Sequence, residues 1–274
     1  MTLRMVDVRG KKVELLESGA GEPVLYLHDM WDLHTAQGGM FPFHEQLASK
    51  FRLLAPAHPG CGESDSIKSI GDMDDLAFHY LDVLDALGLR SAAIVGVGLG
   101  GWIATEIAVR NPERVSRLAL VGAAGLQRPG AQIADIFMYS QHRDGGIMRD
   151  LRNLLFGEAD SALAEAIVPD GRVNIPDEVR RYKSLTLTGR VGWEPPYLHN
   201  RKLLDRLHRV TCPALLIWGE QDRFVPLANG RAYAEHLPRA ALKVLPGVGH
   251  SAILEAPEQC MGLIAPFLST GALP

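Results

Sequence analysis

Residues Ser91 to Trp102, reading Ser-Ala-Ala-Ile-Val-Gly-Val-Gly-Leu-Gly-Gly-Trp, restrict the chain more than any other stretch. A short apolar run breaks into glycines and then into helix formers, which reads as strand, tight turn and helix. In such a turn a strand's carboxyl end meets a helix's amino end, and free backbone N–H groups point outward. Two frames fit it. Gly96, Gly98 and Gly101 satisfy G-x-G-x-x-G, a dinucleotide fingerprint, whereas Gly96, Gly98 and Gly100 satisfy G-x-S-x-G, a turn that presents a nucleophile, with glycine in the serine's place.

The flanking sequence supplies the sheet around this turn. Arg4–Val8 and Lys12–Glu17 read as an edge hairpin, and Pro23–His28 and Phe51–Pro56 as strands covered on both faces. Asp72–Leu87 has apolar residues at helical spacing and Gly88 to stop it; a helix over Gly100–Arg110 and a strand over Val115–Val121 complete β-α-β-α-β. That alternation predicts an α/β fold, a mostly parallel twisted sheet flanked by helices. From about Gly122 to His208 strand signals are few, which predicts a helical cap inserted over 126–205 into a core of 1–125 and 206–274. Ala214–Trp218 then resumes the buried-strand pattern, Ala241–Leu245 is a last strand, and Pro257–Leu268 a closing helix.

Composition narrows the classes of function. With 274 residues, a net charge of −4 and no long basic run, the chain is a poor partner for nucleic acid, which needs concentrated Lys and Arg. Cys61, Cys212 and Cys260 are odd in number and far apart, which supports neither a disulfide framework nor a paired-Cys metal site. The mixed segment Met1–Leu16 lacks the apolar core of a signal peptide, and no apolar run reaches spanning length. A cytoplasmic protein with no membrane association is expected. His28 and Asp29 hint at a metal pair, but no third ligand stands at a supporting spacing.

Two loops after the insertion separate the two frames. The strand ending at Trp218 runs into Gly219-Glu-Gln-Asp222-Arg-Phe-Val-Pro226, and the last strand into Pro246-Gly-Val-Gly-His250. An acid after the penultimate strand and a histidine after the last follow the order of Ser…Asp…His triads on open sheets. Together with Tyr26-Leu27-His28, Pro56–Asp65 and Gly96–Gly101, these residues make the chain resemble the α/β-hydrolase fold family over nearly its whole length. The dinucleotide frame lacks its ribose-binding acid, since Leu118–Val121 ends in Gly-Ala-Ala-Gly.

The resemblance implies that Asp222 orients an imidazole, that His250 is the general base, and that the backbone N–H groups of Leu99 and Met30 form an oxyanion hole. It places His28, Asp29, Trp31 and the cap residue Trp193 in the substrate pocket, with Asp32, His34, Met40 and Phe41 along another wall. No organic cofactor or metal is implied. Gly98 is the departure: a residue without a side chain closes the acyl-serine route. Either a serine was replaced deliberately, or the site diverged naturally, as Val97 and Asp29 in place of the usual polar residue and glycine suggest. Cys61, Ser64 and Ser251 lie near strand ends but not at the turn, and the missing side chain is expected to leave room for a water. The expected function is hydrolysis of a small apolar carbonyl compound, by ester, lactone or C–C cleavage, through Asp222–His250 base chemistry. Val97 and Ser251 stand where C–C hydrolases tend to carry Asn and Trp. The alternative is a catalytically silent protein of the same fold that binds a small ligand.

Overall fold

The computed structural model describes residues 1–30, 40–135, 147–170, 175–192 and 196–274. Eight strands form one sheet: β1 (Thr2–Val8), β2 (Lys11–Ser18), β3 (Pro23–Leu27), β4 (Arg52–Pro56), β5 (Ala92–Val97), β6 (Val115–Val121), β7 (Ala214–Gly219) and β8 (Ala240–Leu245). Their order is β1-β2-β4-β3-β5-β6-β7-β8. The β1–β2 and β2–β4 pairs are antiparallel and the remaining pairs parallel, which gives the mostly parallel sheet with an edge hairpin that the sequence predicts and adds an antiparallel β2–β4 pair that it does not. The central strands β5 and β7 are buried along their whole length, which explains their unbroken apolar runs.

The chain moves from β3 outward to β4, then returns to lay β5 on the other side of β3. The strand order therefore reverses between β3 and β5, and the region beyond their carboxyl ends is the usual ligand position in open α/β sheets. Around the sheet lie α1 (Pro42–Ala48), α2 (Met73–Ala86), α3 (Leu99–Arg110), α8 (Leu227–His236), α9 (Ala252–Glu255) and α10 (Pro257–Thr270). Between β6 and β7 come α4 (Ile147–Leu155), α5 (Ala162–Ile167), α6 (Ile175–Gly192) and the short α7 (Leu203–Arg206), with no strand beyond isolated bridges among the described residues.

Helix α3 is buried from Leu99 to Val109, so it sits against the sheet on one side and other helices on the other. Its one buried acid, Glu106, accepts from Trp102 Nε1 and Asn200 Nδ2, each at 2.9 Å, and from Arg110. Asn200 thereby fastens the segment between β6 and β7 to α3. A β-carbon at Gly100 would stand 2.7 Å from the His28 carbonyl oxygen and nearer still to that of Leu27. Backbone cannot yield as a flexible side chain does, so Gly100→Ala is expected to cost about 3 kcal/mol, read from denaturant unfolding.

Candidate active site

Four loops meet above the carboxyl ends of β3, β5, β7 and β8. After β7 the chain turns at Asp222, whose Oδ1 accepts from the N–H groups of Phe224 (3.0 Å) and Val225 (2.8 Å), while Trp218 Nε1 donates to the Val225 carbonyl at 2.8 Å. The carboxylate is thus fixed with Oδ2 free for the next loop. After β8, His250 donates from Nδ1 to Asp222 Oδ2 at 2.8 Å. The His250 loop is tied down in turn: Glu255 accepts from the N–H groups of Gly249 (3.0 Å) and Gly157 (2.7 Å), and the Ser251 N–H donates to Leu155 at the end of α4 (2.8 Å). Phe224 meets the imidazole edge to face, with ring centroids 4.8 Å apart.

The other nitrogen of His250 does not face an open space. Nε2 lies 3.2 Å from Asp29 Oδ2, and Asp29 Oδ1 accepts from the Leu99 N–H at 2.8 Å. The expected water-sized gap left by Gly98 is therefore filled by the Asp29 carboxylate. Strand register explains this: Leu27 pairs with Gly96, and two residues further along each strand come Asp29 and Gly98. Gly98 has φ 51°, a left-handed conformation that glycine adopts without penalty. A β-carbon there would lie 2.5 Å from Asp29 Oδ2 and nearer still to Cγ and Oδ1. The carboxylate and any side chain at position 98 are mutually exclusive in this arrangement.

Both acids act on the imidazole. Burial alone lowers the His250 pKa, but the charge and hydrogen bond of Asp222, and then those of Asp29, overcome it and raise the value to about 10. Burial pushes Asp222 above the ordinary carboxylate range, opposed by His250 and by the two backbone donors. Every hydrogen-bond partner of Asp222 and His250 thus favours the imidazolium–carboxylate form.

Asp29 is held from behind by a histidine pair that the sequence did not reveal. His28 Nε2 accepts from the His58 N–H at 3.0 Å, which leaves Nδ1–H to donate to the Asp29 carbonyl at 2.5 Å. His58 Nε2–H donates to the His28 carbonyl at 2.8 Å and Nδ1 accepts from Tyr80, with the two rings stacked 3.7 Å apart. These bonds assign each ring its tautomer and fix the backbone on which Asp29 stands. The available signal was a histidine just past the end of each of two neighbouring strands, β3 and β4.

The other expected residues divide. Met30 is buried beside Asp29, and its carbonyl accepts from Ser184 Oγ on α6 at 3.1 Å. On the same helix, Lys183 donates to the Gly62 carbonyl (2.6 Å) and Arg190 to that of Ile67 (3.2 Å), so α6 lies over the loops that follow β3 and β4. Trp31, Asp32, His34 and Trp193 lie outside the described residues. Burial pushes the Cys61 thiol up to about 12, and the Ser64 hydroxyl is engaged by the Ala57 carbonyl and the Glu14 N–H, each at 2.9 Å. Neither is placed as a nucleophile. Among the described residues no cluster of three His, Cys, Asp or Glu could hold a metal ion, and no helix is long and apolar enough to cross a membrane.

The chain is similar to known proteins in sequence and in fold. A family model for the alpha/beta hydrolase fold matches residues 39–257. A 2-hydroxy-6-oxononadienedioate/2-hydroxy-6-oxononatrienedioate hydrolase of Paraburkholderia phymatum is 32% identical, over 94% of this chain and 91% of its own. A 2-hydroxymuconate semialdehyde hydrolase from a Pseudomonas species is 28% identical, over 97% of this chain and 93% of its own. Among solved structures, a 2-hydroxy-6-oxo-6-phenylhexa-2,4-dienoate hydrolase from a Rhodococcus species superposes with a TM-score of 0.75 at 25% identity, over 98% of this chain and all of that one.

Proposed function

Since the chain belongs to the α/β-hydrolase fold family, we propose that it hydrolyses a small, largely apolar carbonyl compound, with Asp222 and His250 moving the protons and the backbone N–H groups of Met30 and of Leu99, once Asp29 Oδ1 gives up the latter, holding the oxyanion. One observation carries this reading: the buried Asp222–His250 hydrogen bond of 2.8 Å, with Nε2 turned toward the start of α3. An imidazole fixed in that way both donates and accepts a proton at one point above the sheet. The segment 126–205 is the cap of this enzyme over the core 1–125 and 206–274, and α6 closes the pocket from above. His28 serves the pocket through the Asp29 backbone.

Ester, lactone and C–C bonds all present the required carbonyl. The relatives' names favour the last, because they describe hydrolases of 2-hydroxy-6-oxo unsaturated acids and a related semialdehyde. The test is turnover of a p-nitrophenyl ester panel and of a 2-hydroxy-6-oxo-dienoic acid, followed by the loss of its chromophore. His250→Ala is expected to lower kcat/KM by about 10³-fold while leaving the far-UV spectrum intact. Tight binding of such compounds without turnover by the unaltered chain would instead mark a silent ligand-binding protein.

A further inference from the structure

Two features remain unexplained by proton transfer alone: the site has no side chain at the turn that normally carries the nucleophile, and it has one carboxylate more than a triad needs. They are one feature seen from two strands. Asp29 reaches across from the end of β3 into the place that a side chain on Gly98 would take, at the end of β5. There its Oδ2 faces His250 Nε2 at 3.2 Å, and its Oδ1 sits on the first N–H of α3 at 2.8 Å.

We propose that Asp29 is the nucleophile of this hydrolase, a carboxylate supplied by the neighbouring strand in place of the absent elbow side chain. The inference rests on the hydrolase reading and names the group that begins its reaction.

The protonation state of the site fits a carboxylate nucleophile better than a hydroxyl. A serine must lose its proton to a neutral histidine before attack, whereas a carboxylate attacks as it stands. The histidine can then begin the cycle charged, as the acid that the leaving group requires. In the first step Oδ2 of Asp29 bonds to the substrate carbonyl carbon, the bond to the leaving group breaks with its electron pair, and His250 gives that group its Nε2 proton. The product is a mixed anhydride between Asp29 and the acyl group, beside a neutral imidazole. In the second step His250 takes a proton from water, the hydroxide adds to the acyl carbon, and the Asp29 carboxylate leaves. The acid is released and the imidazolium restored, with one water consumed. As charge drains from the carboxylate in the first step, Oδ1 loosens its claim on the Leu99 N–H, which is then available to the developing oxyanion.

The experiment uses p-nitrophenyl butyrate, whose leaving group departs without a proton. The full-length chain, its Asp29→Asn variant and its His250→Gln variant are mixed with the ester, quenched in acid within milliseconds to seconds, and mapped by peptide mass. Loss of the deacylating base in His250→Gln is expected to give a burst of about one p-nitrophenolate per chain and a butyryl group on the peptide bearing Asp29. Asp29→Asn, nearly isosteric, is expected to keep its fold by circular dichroism, to lose about 10³-fold or more in kcat, and to form no adduct. Unchanged kcat in Asp29→Asn, an adduct on another peptide, or loss of activity without any adduct in His250→Gln would each overturn the nucleophile and leave the hydrolase reading standing. Absence of turnover by the unaltered chain on every carbonyl substrate would overturn both.

Discussion

Gly98→Ser is expected to weaken this protein rather than turn it into a serine hydrolase. The new β-carbon would adopt the left-handed φ of 51° and arrive 2.5 Å from Asp29 Oδ2, with the carboxylate carbon nearer still. Strain at that φ and steric conflict in a closed site together set a loss on the order of 3 kcal/mol. To enter, the serine must also drive Asp29 from the Leu99 N–H and from His250, two charge-assisted hydrogen bonds in a site where the acid is only 3% exposed. Adding Asp29→Gly to the same chain removes the conflict. The double variant is expected to recover most of the stability lost by Gly98→Ser and to react with a fluorophosphonate at the introduced hydroxyl, as the single variant does not. The two positions should therefore couple strongly in a double-mutant cycle, because they compete for one volume. Denaturant unfolding of the four chains measures the coupling, and active-site labelling reads the chemistry. Strong esterase activity in the single variant would mean that Asp29 swings aside freely, and that Gly98 merely marks a silenced serine.

This relation between Asp29 and Gly98 also separates what the sequence shows from what it hides. The central strands announce themselves because burial on both faces leaves unbroken apolar runs, as in Ala214–Trp218 and Ala92–Val97. Asp222 and His250 are legible for a similar local reason: each follows a recognisable strand within a few residues. Helix α1 is not, since seven residues starting at Pro42 are too few to establish a period, although Phe43 and Leu47 are fully buried. Asp29 and Gly98 are each visible as departures, but their contact depends on the register of β3 against β5, across roughly seventy residues of chain. The His28–His58 stack likewise needs two strands side by side. A single strand's pattern says which residues face the sheet, and only pairing says which ends collide.

Replacing Asp222 by asparagine is expected to reduce kcat by about 10³- to 10⁴-fold and to remove a specific pH dependence from the fold. The asparagine oxygen can keep the Phe224 and Val225 N–H donors that now hold Oδ1, which turns its amide group toward His250 Nδ1. That nitrogen must then accept, and the single remaining proton of a neutral ring sits on Nε2, facing Asp29. The ring can no longer take a proton from water at Nε2. Stability reports the same change independently. In the parent chain the His250 pKa is raised from 6.5 to about 10 on folding, so the folded state binds the proton more tightly. Its stabilising contribution is complete below pH 6.5 and is lost as the pH climbs toward about 10, with a slope of up to about 1.4 kcal/mol per pH unit. Urea unfolding from pH 6 to pH 10 should therefore show the parent chain declining relative to Asp222→Asn, so that the gap between the two narrows with rising pH. Parallel stability curves for the two chains would show that His250 gains no proton affinity from Asp222 on folding, and the acid–base cycle assigned to this pair would have to be abandoned.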